Sequence, residues 1–168
     1  MNKFLNVLDS HKQKYQNSCT SSVREVILKL HQRVGDDWYD FQTKYKETNI
    51  GFDHLDDFDV HRIKAISYTK PIAEAYLDIE KEVREGRFPL VSLPFSCRAS
   101  IIDFARGCGP YHIFIAGKSL ISGLPFGYYS PNSSSFPGHT YLYDIGLVLT
   151  TLETIGPYQL NYATYVLV

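Results

Sequence analysis

Near the start of this chain a glutamine stands six positions before a cysteine, in Gln13-Lys14-Tyr15-Gln16-Asn17-Ser18-Cys19-Thr20-Ser21-Ser22. Together the two residues could carry out acyl chemistry. A cysteine at the first turn of a helix is stabilised as its thiolate, and the thiolate is the form that attacks a carbonyl. An upstream amide can donate to the oxyanion this attack creates, alongside the backbone N–H of Cys19. Gln16 is nearer in sequence, but from three residues back the chain would have to turn sharply. Gln13 is the preferred donor.

A thiol nucleophile needs a base, and the chain has six histidines. His11 lies just before the glutamine, and His31 sits near the end of an amphipathic run. His54 and His61 fall in an acidic segment, and His139 in a Pro-Gly-His turn. His112 differs, because it opens the apolar run His112-Ile113-Phe114-Ile115-Ala116 after Gly107-Cys108-Gly109-Pro110. At the start of a core strand a polar residue can face a cleft while the strand behind it stays rigid. His112 is therefore the expected proton shuttle. An Asn or Asp should hold its tautomer. Asn132, 20 residues further on in the loop after the next expected strand, ranks first, and Asp144 is the alternative.

The elements that must position these residues divide by halves. Val23, Val26, Ile27, Leu30 and Val34 recur at spacings of three and four, which predicts a helix ended by Gly35. Asp36 or Asp37 could cap a second helix through Trp38, Phe41 and Tyr45. A short helix is expected over Phe52–Ile63. A longer one is expected with Pro71 in its first turn, Ile72, Ala75, Tyr76, Ile79 and Val83 on its core face, and Gly86 at its close. The second half predicts strands at 88–95, 111–116, stopped by Gly117, and 126–129. A loop over 130–138 follows, then strands over 141–151 and 158–168. Pro94 marks a strand end or an edge. Helices first and strands later predict an α+β fold in a single domain spanning residues 1–168.

Composition narrows the possible partners. The 168 residues carry 17 basic and 18 acidic side chains, for a formal net charge of -1. Nothing in that balance calls for nucleic acid or an anionic membrane. No apolar run approaches the roughly 18 residues of a membrane span. The first residues, Met1 to Leu8, are too short and interrupted for a secretory signal. Three cysteines, an odd number, suit a reducing compartment. A cytoplasmic location is expected, with signal-independent export left open. The segment Asp53–His61 collects acids and two histidines. The spacing from His54 to His61 is two helical turns, too far for one ion, so no metal or cofactor is expected.

The pattern resembles the papain-like cysteine peptidase superfamily. Within it, the chain is most similar to the bacteriocin-processing, double-glycine leader peptidases. The resemblance rests on four places: Gln13 with Cys19; Asn49-Ile50-Gly51 before a mid-chain helix; Gly86-Arg87-Phe88-Pro89-Leu90-Val91; and His112 opening a strand that runs to Gly117. It implies a papain-like fold, with N-terminal helices packed on a C-terminal antiparallel sheet. It also implies cleavage of a peptide or isopeptide bond in a peptide or protein substrate by Cys19, with His112 as base. Two positions depart from the family. Thr20 follows the cysteine where a small residue is usual, and Ser130 precedes Pro131 where an Asp is usual. The second departure passes the orienting role to Asn132 or Asp144, or leaves a degenerate relative that only binds peptide. An acyltransferase using the same thioester is the other alternative.

Overall fold

In the computed structural model the described residues are 2–12, 14–15, 19–46, 56–94, 111–118, 125–129, 140–144 and 159–168. They form α1 (Asn2–Ser10), α2 (Cys19–Leu30), α3 (Asp40–Lys44), a 3-10 helix (Asp56–His61), β1 (Ile63–Pro71) and α4 (Ile72–Arg84). These are followed by β2 (Leu90–Pro94), β3 (Tyr111–Lys118), β4 (Pro125–Tyr129), β5 (Thr140–Asp144) and β6 (Gln159–Leu167). The fold is α+β. The strands join in one antiparallel sheet of order β1-β6-β2-β3-β4-β5.

Helices cover the sheet on both faces. Successive strand residues point to opposite sides, yet Leu90 and Val91, Ile115 and Ala116, and Tyr162 and Ala163 are all buried. Leu90, Ile115, Ala163 and Tyr165 share one cluster with Phe4 and Leu8 of α1 and with Val23, Val26, Ile27, Leu28 and Leu30 of α2. α4 packs against β1, β3, β4 and β6. It buries Ile72, Ala75, Ile79 and Val83, and its Asp78 accepts a hydrogen bond from the Tyr162 hydroxyl. Tyr162 stacks on Tyr68 at 5.2 Å, opposite it in the β1–β6 ladder.

Two helices end in the same way. In α4, Gly86 takes φ 84°, and the N–H groups of Gly86 and Arg87 donate to the carbonyls of Val83 and Glu82. In α2, Gln32 takes φ 56°, and the N–H groups of Gln32 and Arg33 donate to the carbonyls of Lys29 and Leu28. Both are Schellman caps. The second is built on a side-chain-bearing residue.

The structure corrects several expectations. α2 ends at Leu30 rather than running to Val34 and Gly35, because Gln32 reverses the chain first. The helix expected from Asp36 or Asp37 to Tyr45 is only Asp40–Lys44, since Trp38 N–H closes a turn onto Gly35. Of the helix expected over Phe52–Ile63, residues 52–55 lie outside the described residues, 56–61 form a 3-10 helix, and Ile63 already begins a strand. Pro71 is the residue before α4 and the last of β1, a position it can hold because β1 is an edge strand. β3 does not stop at Gly117 but runs to Lys118, with Gly117 paired to Phe126. Residues 145–151 lie outside the described residues. The helices do not all precede the sheet, since β1 comes before α4.

Candidate functional site

Cys19 is the first residue of α2, and every residue from Thr20 to Leu30 is buried. A helix buried all round must satisfy its polar side chains internally. α2 carries Ser22, Glu25 and Lys29 at spacings of three and four, which form one polar stripe. That stripe meets the chain just upstream of the cysteine.

His11 sits against the stripe. Lys29 Nζ lies 2.9 Å from His11 Nδ1, and Ser22 Oγ lies 3.0 Å from His11 Nε2. The ammonium can only donate, so Nδ1 accepts and Nε2 carries the proton. Glu25 Oε1 stands 3.5 Å from that Nε2. The imidazole stacks on Tyr39 at 4.9 Å, and the Lys29 and Lys14 ammonium groups lie over the same ring at 3.8 and 4.1 Å. Burial lowers the His11 pKa; the Glu25 hydrogen bond opposes this, and Lys29 and Lys14 reinforce it. Burial also lowers the pKa of Lys29.

Gln42 of α3 completes the cluster. Its Nε2 donates to Glu25 Oε1 at 2.7 Å and to the Lys12 carbonyl at 2.9 Å. Its Oε1 accepts from the Lys14 N–H at 2.7 Å, and its own backbone N–H donates to Glu25 Oε2 at 3.0 Å. Beside this network the Arg24 guanidinium lies over the rings of Phe41 and Phe58, at 4.4 and 5.3 Å. Aromatic faces can hold a buried cation in this way.

The remaining site candidates are placed by the backbone. His112 is the second residue of β3, opposite Leu93. Along β3 it has the parity of Ala116. Ile115, which joins the α2 cluster, has the other parity. Asp144 ends β5 opposite Phe126, and Phe126 lies opposite Gly117. That rung is five residues along β3 from His112, or about 17 Å, and two strands across, or about 10 Å. The register thus removes Asp144 from the reach of His112. Gln13 and Asn132 lie outside the described residues, as do Asn49, Ile50 and Gly51.

One contact orients α2 on the sheet. His31 Nε2 lies 2.9 Å from the Tyr165 hydroxyl. Ala163 and Ile115 share a rung through Leu90, and β6 and β3 run in the same direction, each antiparallel to β2. Tyr165 is two residues further along β6. The C-terminal end of α2 therefore lies toward the Gly117 end of β3, away from His112.

Of the buried polar cluster, sequence reasoning noted only His11, and only for its position. The signal it missed is the 22-25-29 stripe, a helical polar face that reads as solvated until Gln42 of α3 and His11 are known to cover it. Among the described residues, no group of three or more His, Cys, Asp or Glu side chains could hold a metal ion, and no helix is long and apolar enough to cross a membrane. Comparison with protein families, with curated proteins and with solved structures gives no match.

Proposed function

We propose that the chain is a papain-like thiol enzyme that cleaves a peptide or isopeptide bond through an acyl-thioester on Cys19. The observation that supports this is the seat of the C-terminal end of α2 beside the Gly117 end of β3. The 12 residues of α2 span about 18 Å, which matches the roughly 17 Å between His112 and Gly117 on β3. A helix running along the strand from that end would bring Cys19 to the His112 end. In this scheme His112 takes the thiol proton, and Gln13 with the Cys19 N–H binds the oxyanion. The β3–β4 hairpin returns the chain toward His112, from Lys118↔Pro125 to Ile115↔Tyr128. In this scheme Asn132, three residues past Tyr129 in the sequence, is the orienting residue in preference to Asp144. Water entering the site gives hydrolysis, and an amine entering it gives acyl transfer by the same intermediate.

One observation favours a non-catalytic, peptide-binding relative instead. In a regular strand the parity of His112 belongs to the face opposite α2. Catalysis requires β3 to twist at its first residues, where Tyr111 pairs with Pro94 and the ladder loses a donor.

Alkylation separates the two. With iodoacetamide at pH 7, an armed Cys19 is expected to react about tenfold faster than Cys97 or Cys108, and His112→Ala should abolish the difference. Equal labelling of all three cysteines would overturn the enzyme assignment.

A further inference from the structure

We infer that Gln42 is a positioning residue for the oxyanion donor: its side chain, anchored by Glu25 on the cysteine helix, grips the backbone on both sides of position 13. This rests on the thiol-enzyme assignment above and extends it to residues that never touch substrate.

The geometry is specific. Three hydrogen bonds of the Gln42 amide have unambiguous donors and acceptors, its Nε2 also lying 3.5 Å from His11 Nε2, and their chemistry fixes which atom is which. Nε2 donates to the Lys12 carbonyl at 2.9 Å and to Glu25 Oε1 at 2.7 Å, while Oε1 accepts from the Lys14 N–H at 2.7 Å. Flipping the amide would set a donor against the Lys14 N–H and an acceptor against both a carbonyl and a carboxylate. Only an uncharged amide with this orientation satisfies all three partners. Position 13 stands in the sequence between the two gripped residues. Lys12 and Lys14 are thereby tied to Glu25, six residues into the helix that Cys19 begins.

The anchor is itself immobilised. Gln42 and Glu25 are fully buried, and a second bond runs from the Gln42 N–H to Glu25 Oε2 at 3.0 Å. Just upstream, His11 is held by Lys29 and Ser22 of the same helix. The chain entering position 13 and the chain leaving it are thus both referenced to α2. An oxyanion donor is effective when it is fixed before charge develops, and a displacement of about 1 Å can remove most of its effect. A buried amide is a suitable device for that purpose. It costs no exposed charge, and it keeps Lys12 and Lys14 in register with the helix that Cys19 begins.

The test compares two reactions of Cys19 that differ in whether an oxyanion forms. With iodoacetamide the thiolate displaces iodide and no oxyanion develops. With p-nitrophenyl acetate the Sγ–C bond forms through a tetrahedral oxyanion, the bond to the aryl oxygen breaks, and nitrophenolate leaves as the anion. The thiol proton passes to His112 and then to solvent. Gln42→Leu is expected to slow ester acylation about 10- to 100-fold while leaving alkylation of Cys19 within about twofold. Gln13→Ala should slow acylation by a similar factor, and the double variant should be no slower than either single one.

Because Gln42→Leu leaves Glu25 buried and unpaired, a fold-preserving pair is needed as well. Gln42→Glu with Glu25→Gln keeps one carboxylate, one amide and the contact between them, but places a carboxylate oxygen against the Lys12 carbonyl. It should fold, alkylate normally and acylate slowly. Normal acylation in that pair, additive losses in the double variant, or a parallel loss of alkylation would overturn the positioning role. A natural protein with no Cys19-dependent ester burst and no rapid alkylation would instead overturn the thiol-enzyme assignment on which it rests.

Discussion

Gln32 sits in the left-handed region at the end of α2 with φ 56°, where a β-carbon crowds the following carbonyl. Gly86 holds the equivalent place after α4 at φ 84° with no such cost. Gln32 is exposed. Gln32→Gly should therefore raise stability by about 1 kcal/mol, read as a higher urea midpoint at unchanged slope; an unchanged or lower midpoint would show that the cap is not strained. The two caps also show what residue-level reading can reach. Gly86 was legible as a helix stop because glycine announces a left-handed position. The stop at Gln32 was not, since a glutamine there reads as one more helix former, and the periodic stripe through Val34 hid the reversal.

Between elements, the bond from Tyr162 on β6 to Asp78 on α4 ties the sheet to its second helical layer, with the Lys70 ammonium of β1 2.9 Å from the same carboxylate. The Tyr162 hydroxyl, followed by Lys70, holds the Asp78 carboxyl below the usual aspartate range. Tyr162→Phe should let that pKa rise and should cost about 1 kcal/mol, the carboxylate being partly exposed. NMR titration of the Asp78 carboxyl carbon checks the first expectation, and an unmoved titration would remove Tyr162 from the account. α4 and α2 were legible as elements because apolar residues recur on one face at helical spacing. β3 was legible as a short apolar run behind a polar residue. β1 was not. Its inward positions carry Ile63 and Ala65 while Ile66 lies exposed, so no clean alternation marks an edge strand. The Glu25–Gln42 contact was invisible for a different reason. It joins residues 17 apart on two helices, and periodicity reports only which face is apolar, not what covers a polar one.

At the scale of the molecule, two histidines couple stability to pH. Burial lowers the pKa of both His11 and His31 from the usual 6.5. The unfolded chain therefore binds protons in a range where the native state does not. Their contribution is complete above about pH 6.5 and is lost as pH falls through the lowered native values. The urea midpoint should fall between pH 7.5 and 5, and His11→Asn should flatten that slope even if it lowers the midpoint throughout. A profile independent of pH would mean that both rings titrate normally in the fold. The placement of β6 has a kinetic consequence. It lies between β1 and β2 although it follows both in the chain, and Thr69 bonds Asn161 across a separation of 92 residues. Closing a flexible loop of that length costs about 4 kcal/mol before a constant term. The first strand formed must therefore wait, as an open edge, for the last one to arrive. Insertion of β6 at the interior is expected to limit the folding of this sheet, and a chain truncated before residue 159 should leave β1 unpaired with β2–β5.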